Sequence, residues 1–365
     1  MNSLYAKLKR LFHFYTGELN YREFQKLVKK DVPEVYDFYV RRMKKPEKSR
    51  SRIIDFIKFL RNLFLEFLNL LTPMRRIIYS LSLIMFILAY IGNEWSWAVW
   101  GFILINLLLA FELADKLTAK DELQVAREIQ LNMMPKYPPA NKYYEISCYM
   151  ETAREVGGDY YDFIKPINEE ERTFVIIGDV SGKGMSAALH MVQVQSILHN
   201  IVKENSSPKE ILNLLNTNLK RVLRKGSFLT LSIAELNSGG EIIMSRAGHM
   251  PFIHYSKTDG NCRRIIPKGI GLGLANDQLF SDSIDELSIK PEKDDLFILF
   301  TDGIVEAMNS SYSIFGEENL SRIICQNADK PAKEIMNIII QKIKNFTYES
   351  SVQDDFTLIV MKAIR

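Results

Sequence analysis

The sequence predicts an α/β protein, a strand-rich sandwich flanked by helices, preceded by a transmembrane helical hairpin and a linker helix. Three observations predict it. Two uninterrupted apolar runs lie between residues 72 and 114. Beyond residue 141 the chain changes to short runs rich in Val, Ile, Phe and Thr between turn residues, the signature of strands. The helical segments there arrive in pairs between groups of strands, which disfavours a strictly alternating doubly wound sheet. At 365 residues the chain has room for two or three domains, one of them large enough for a substantial core. A formal net charge of +3 gives no argument for nucleic-acid binding.

Four regions follow: a cytoplasmic N-terminal region at 1–71, two transmembrane helices at 72–114, a linker helix at 115–141 and a strand-rich domain at 142–365. No secretory signal opens the chain, because Lys7, Lys9 and Arg10 are not followed by a long apolar run. Residues 1 to 50 show helical spacing at Leu4, Leu8, Leu11 and Phe12 and again at Phe24, Leu27 and Val28, without a motif tied to chemistry. A strongly basic stretch runs from Arg41 to Arg52. From Ile53 to Leu71 the polar residues Asp55, Lys58, Arg61, Glu66 and Asn69 form one stripe, as in a helix lying at the interface beside anionic lipid. A third span is the rival reading, disfavoured because charges are costly in hydrocarbon.

Thr72–Gly92 and Trp95–Ala114 each reach the length of about 20 residues that a spanning helix needs. Only Asn93 and Glu94 separate them, so the two helices form a tight hairpin with both ends on one side. Trp95, Trp97 and Trp100 gather at the turn and mark the far interface, whereas Arg75, Arg76 and the basic stretch flank the near end. The positive-inside rule then places both termini in the cytoplasm, with the hairpin in the inner membrane. A buried soluble hairpin is the alternative. The next stretch, Glu112 to Met134, is helix-forming, with apolar Leu123, Val125, Ala126, Ile129 and Met133, and ends at Pro135, Pro138 and Pro139. Such a stretch pairs with its counterpart in a homodimer or lies on its own domain, and the sequence leaves both open.

In the last region the clearest strands are Tyr144–Met150, Thr173–Val180, Phe228–Glu235, Glu241–Arg246, Asp295–Thr301 and Asp355–Lys362; helices are expected at Met185–Lys203, Pro208–Leu223, Glu317–Cys325 and Ala332–Phe346. Cys148, Cys262 and Cys325 are too few and too widely spaced for a disulfide framework or a zinc site, which fits a reducing compartment.

The chemistry is expected where acids meet strand ends. Asp159 and Asp162 lie in Glu-Val-Gly-Gly-Asp-Tyr-Tyr-Asp, Asp179 and Asp302 end apolar strands, and Asp354-Asp355 opens another. Carboxylates gathered at buried strand tips repel one another unless a cation compensates them. All are hard oxygen donors without a matching His or Cys set, so magnesium or manganese is favoured over zinc or copper. Gly157-Gly158, Gly182, Gly184 and Gly303 stand beside these acids and allow close approach of the main chain.

These residues resemble a known family. Glu155-Val-Gly-Gly-Asp-Tyr-Tyr-Asp, Asp179-Val-Ser-Gly-Lys-Gly with Ala187-Ala188, Ala247-Gly-His with Pro251, Thr301-Asp-Gly with Glu306-Ala307, and Asp354-Asp-Phe-Thr look like the SpoIIE/RsbU-like bacterial phosphatases, stage II sporulation E and the sigma-factor regulators, within the metal-dependent PPM serine/threonine phosphatases. Ala126-Arg-Glu-Ile-Gln followed by Met134-Pro is similar to the helix that precedes their catalytic domain. The resemblance covers residues 120 to 365 and leaves the first 119 untouched.

The resemblance implies a four-layer α-β-β-α sandwich with a binuclear Mn2+ or Mg2+ centre at one end. It implies that Asp179 bridges both ions, that the Val180 carbonyl is a further ligand, and that Asp302 and Asp354 complete one ion; Asp159 serves the other side or a third ion, and Asp355 is the second member of its pair. Asp179, Asp302 and Asp354 are thus the expected catalytic carboxylates, holding a bridging hydroxide for in-line attack on phosphorus. The implied substrate is a phosphorylated anti-sigma-factor antagonist, in a partner-switching pathway that regulates a sigma factor. One departure stands out: animal-type members carry a His after the bridging Asp-Gly, whereas here Ser181-Gly182-Lys183 follows Asp179-Val180, leaving the leaving-group acid open. Lys183 and Arg154 are candidate phosphate contacts or solvated surface, and His249 is a candidate site residue or simply a hydrogen-bonded one.

Gly269-Ile-Gly-Leu-Gly-Leu lacks the full dinucleotide spacing, and no Walker loop, zinc signature or Gly-x-Ser-x-Gly elbow occurs. Two other functions compete: a catalytically silent phosphoprotein-binding scaffold, opposed by the intact aspartates, and a two-metal nucleotide phosphohydrolase, opposed by the lack of a base-recognition element.

Overall fold

A computed structural model describes residues 52–153, 155–166, 171–202, 207–223, 226–347 and 354–365. The expectations for residues 1–51 and for Arg154 lie outside them. The chain divides into two compact units, Met1–Thr118 and Ala119–Arg365.

In the first unit, α1 (Arg52–Leu70), α2 (Pro73–Gly92) and the first part of α3 (Trp95–Met133) follow one another. Pro73 opens α2, where its missing N–H costs nothing, and Asn93 ends it in the left-handed conformation that a tight reversal needs. Arg75 Nη1 donates to Glu112 at 3.0 Å and Nη2 to Asp115 at 2.7 Å, so the start of α2 lies beside the part of α3 that follows its apolar run. This is hairpin geometry. Gly101 permits it: a Cβ there would stand 3.1 Å from the Ser82 carbonyl, the small-residue contact by which apolar helices approach. Both α2 and α3 are long and apolar enough to cross a membrane by length and composition. Tyr90 is 90% exposed and Trp95 81% exposed at the turn, unlike the buried apolar residues of a soluble core hairpin.

The second unit is a pair of antiparallel five-stranded sheets between helices. One sheet has the order β1 (Tyr144–Glu151), β10 (Phe356–Ala363), β9 (Leu296–Phe300), β6 (Phe252–Ser256), β7 (Asn261–Ile265); the other has β2 (Asp159–Ile164), β3 (Thr173–Val180), β4 (Leu229–Leu236), β5 (Ile242–Ala247), β8 (Glu286–Ile289). β3, β9 and β10 are buried along nearly their whole length, because apolar residues occupy both faces of each. Their inner faces fill the space between the sheets, and their outer faces meet helices. α4 (Met185–Ile201) and α5 (Pro208–Leu219) cover the β2–β5 sheet, while α8 (Glu317–Asn327) and α9 (Ala332–Phe346) cover the other. The four-layer α-β-β-α sandwich is therefore the fold.

Two short helices complete it, α6 (Asp277–Ser283) and α7 (Asp302–Val305). α5 begins with a capping box: the Ser207 hydroxyl accepts from Glu210 N while the Glu210 carboxylate accepts from Ser207 N, satisfying two otherwise orphaned donors. The wide sequence spacing of the cysteines hides one proximity: Cys262 on β7 and Cys325 on α8 are free thiols with Sγ atoms 2.9 Å apart.

Candidate active site

The site forms where β3 leaves one sheet and where β9 and β10 meet in the other. Asp179 lies opposite Asp159 in the β2–β3 ladder. Asp302 opens α7 directly after β9, and Asp354-Asp355 lead into β10, which pairs with β9. Residues separated by up to 196 positions are thus brought to one end of the sandwich (355 minus 159). Their mutual electrostatics record this convergence. Burial and the charges of Asp302, Asp354 and Asp355 raise the Asp179 pKa to about 7, against a lowering by Lys183. Asp302 is raised by burial and by Asp354, with the Gly303 N–H and Lys183 opposing. Such shifts mark a cluster that needs positive charge.

Lys183 supplies part of it, with Nζ 2.6 Å from Asp354 Oδ2. The remaining demand fits a hard divalent cation. A Cβ on Gly158 would stand 2.8 Å from the Val180 carbonyl oxygen and 3.0 Å from Asp179 Oδ1, so only glycine lets the backbone pack this closely against two hard oxygens without displacing them. Among the described residues no three His, Cys, Asp or Glu side chains stand close enough to hold one ion alone. Magnesium does not require that: it is commonly held by one or two carboxylates and keeps several waters. The donor chemistry fits the metal, while the side chains alone do not form a closed cage.

Two of the expected ligands also accept hydrogen bonds from the protein. Asp159 is 1% exposed, and its Oδ2 accepts from Thr301 Oγ1 at 2.8 Å and from Thr357 Oγ1 at 2.6 Å. Thr301 Oγ1 in turn accepts from Thr357 N at 2.8 Å, so one buried acid ties β2 to β9 and β10 across the sandwich. Burial and Asp179 raise its pKa well above the carboxylate range. Asp355 Oδ1 accepts from Ala153 N and Oδ2 from Gly158 N, both at 2.8 Å, so it anchors the loop before β2. Asp162 stands apart from the cluster, accepting from Tyr160 OH and facing His199 Nε2, each at 2.7 Å.

His249 is buried, with Nδ1 2.9 Å from Thr230 Oγ1. Burial and Arg246 push its pKa down to about 3, so it is a neutral structural imidazole. Thr230 lies opposite Asp179 in the β3–β4 ladder, so His249 reaches that strand pair through the Thr230 hydroxyl. A cavity of about 240 Å3 opens beside the acids, lined by Lys183, Gly303, Glu306, Met308, Lys344 and Asp354. The threonines 230, 301 and 357 and Gln130 are site residues that sequence reasoning passed over. Thr301, Thr357 and Gln130 carried a signal, through their places in Thr301-Asp-Gly, Asp354-Asp-Phe-Thr and Ala126-Arg-Glu-Ile-Gln, whereas Thr230 carried none.

A two-sheet sandwich with aspartates converging at one end, between Gly-Gly and Asp-Gly turns, is the architecture of a PPM-type protein serine/threonine phosphatase. Residues 169–364, more than half of the chain, match the family described as Stage II sporulation protein E (SpoIIE), and the chain belongs to that family. The phosphoserine phosphatase RsbU of Bacillus subtilis is 27% identical over 248 residues, covering 67% of this chain and 70% of RsbU. Protein IcfG of Synechocystis is 28% identical over 285 residues, covering 70% of this chain and only 44% of IcfG. Among solved structures, the SiaA-PP2C domain of Pseudomonas aeruginosa superposes with a TM-score of 0.58 at 16% identity, covering 68% of this chain and 98% of that domain. That likeness confirms the fold.

Proposed function

We propose that this chain is a membrane-anchored, divalent-metal-dependent phosphatase that hydrolyses a phosphoserine or phosphothreonine protein of the anti-sigma-factor-antagonist type. The observation that carries the reading is the convergence of Asp179, Asp302 and Asp354 at one end of the sandwich, where the neighbouring carboxylates raise the pKa of Asp179 and Asp302 and Gly158 lets the backbone approach Asp179 and the Val180 carbonyl. The substrate assignment leans on the likeness to RsbU, itself a phosphoserine phosphatase. Asp179, the Val180 carbonyl, Asp302 and Asp354 would hold Mn2+ or Mg2+, which supplies the positive charge that activates water and neutralises the phosphoryl oxygens.

The protein's own groups do the rest. Asp355 and Asp159 hold the surrounding backbone: the first fixes Ala153 and Gly158, the second joins the two sheets. Lys183, half-exposed beside Asp354, is placed to exchange its carboxylate for a phosphoryl oxygen as substrate arrives. The cavity by Lys183 and Gly303 receives the flank of the phosphorylated residue. His249 cannot serve as leaving-group acid, being neutral, buried and turned toward Thr230. In the first unit α2 and the apolar part of α3 form the inner-membrane anchor, with both termini in the cytoplasm.

The test uses the full chain in detergent with Mn2+, a phosphoserine protein and a nucleoside triphosphate. The expected result is phosphate release from the protein, abolished by chelation and restored by Mn2+. Tight phosphoprotein binding without turnover would replace the reading by the scaffold, and preference for the nucleotide would replace it by a phosphohydrolase.

A further inference from the structure

We propose that Gln130 is a positioning residue of the phosphatase centre, whose side-chain amide clamps the Gly157 backbone and thereby holds the loop that shapes the ion site. The proposal rests on the function proposed above. Gln130 is 3% exposed on the stretch of α3 that belongs to the second unit. Its Nε2 donates to the Gly157 carbonyl at 2.8 Å, and its Oε1 accepts from Gly157 N at 3.2 Å. A buried amide is tolerated only when bonded. Here both of its ends are spent on one glycine, fixing the peptide planes on either side of that residue.

Gly157 is where such a clamp has leverage. The chain from 152 to 158 carries no strand or helix among its described residues, so neither Gly157 backbone group belongs to a ladder. A Cβ at Gly157 would lie 2.4 Å from Asp355 Oδ2, which shows how closely this backbone presses on that carboxylate. The next residue, Gly158, donates its N–H to Asp355 at 2.8 Å, accepts from Val180 N at 3.2 Å, and packs so close to Val180 O and Asp179 Oδ1 that a Cβ there would displace them. A shift at Gly157 therefore moves Asp355, Val180 and Asp179 together. The far side of the clamp is equally well held: Gln195 Nε2 donates to Met133 O at 2.5 Å, and Tyr161 OH to Pro135 O at 2.8 Å. The amide is a strut between a fixed helix end and a glycine that lies between the Asp355 anchors at Ala153 and Gly158.

A residue that only fills the interior predicts lost stability with an unchanged site; a strut predicts a changed site. The full chain in detergent, as wild type, Gln130→Met and Gln130→Glu, is measured for thermal midpoint, for kcat and KM on the phosphoprotein, and for Mn2+ binding by calorimetry. Gln130→Met is expected to lose roughly tenfold or more in kcat and to bind Mn2+ roughly tenfold more weakly, as groups supporting metal ligands typically do when removed, with KM within about twofold. Gln130→Glu keeps the acceptor for Gly157 N–H and is expected to fall between the two; should Gln130→Met fail to fold, it decides by the same measurements. Wild-type Mn2+ affinity and kcat in a variant whose thermal midpoint has dropped would overturn the proposal and leave the function standing. A wild type that binds no Mn2+ would overturn both.

Discussion

Asp179 shows at the scale of one residue how function and stability oppose each other. Its pKa stands near 7 because burial and three neighbouring aspartates disfavour its charge. Between its unfolded value and about 7 the folded protein holds a proton that the unfolded chain has lost, so this residue's contribution to stability falls as pH rises through that range. Above about pH 7 the folded site bears the full cost of the charge. In the chelated protein, Asp179→Asn is therefore expected to raise the thermal midpoint at pH 8, by about 2–4 °C for each kcal/mol relieved. The gain should shrink as pH falls toward 5, and phosphatase activity should be lost at every pH. Equal midpoints for the two proteins at pH 8 would contradict the repulsion on which the site rests. The aspartates were legible from sequence because each stands at the end or the start of an apolar strand, most of them near a glycine. Their division of labour was not: whether a carboxylate faces solvent, like Asp354, or two threonines, like Asp159, depends on partners 140 or more residues away.

At the scale of elements, strands with strong apolar content were read to within a residue or so. Thr173–Val180 coincides with β3, and Ala332–Phe346 with α9. Four of the described strands were missed, among them the buried central β6, only five residues long and paired with both β7 and β9. β7 and β8 are edge strands with exposed, polar patterns, held by pairing to one neighbour, a contact the local sequence does not announce. β2 was hidden by its own motif, since Gly-Gly-Asp reads as a turn although the residues from Asp159 onward pair with β3. The turn after β9 makes a prediction of its own. A Cβ on Gly303 would stand 2.0 Å from the Asp355 carbonyl oxygen and 2.9 Å from its carbon. Backbone cannot yield as a flexible side chain does, so α7 must part from β10. Gly303→Ala is expected to cost about 1–3 kcal/mol, the range of interior overpacking, and to lower kcat by displacing Asp302. Denaturant unfolding and steady-state kinetics check both; a variant of native stability and activity would mean the α7–β10 contact is not tight.

At the scale of the whole chain, the first unit poses a question of solvent. Tyr90, Ile91 and Trp95 at the hairpin turn are each at least 75% exposed, and most of α2 presents apolar side chains outward. In water such a surface favours association; in a bilayer it is the required exterior. The Arg75 pairs with Glu112 and Asp115 bring opposite charges together at the two apolar runs' common end, where they leave hydrocarbon free of charge. The chain is therefore expected to sediment with membranes and to resist extraction by alkaline carbonate. A reporter that works only outside the cytoplasm should be active when fused after Glu94 and silent when fused after Arg365. Reversing Arg75 and Arg76 to glutamate removes the positive flank and sets like charges beside Glu112 and Asp115, so the same reporters should show mixed orientation. Release of the wild-type chain by carbonate would return the hairpin to the soluble reading, with its exposed turn then left for a protein partner to cover.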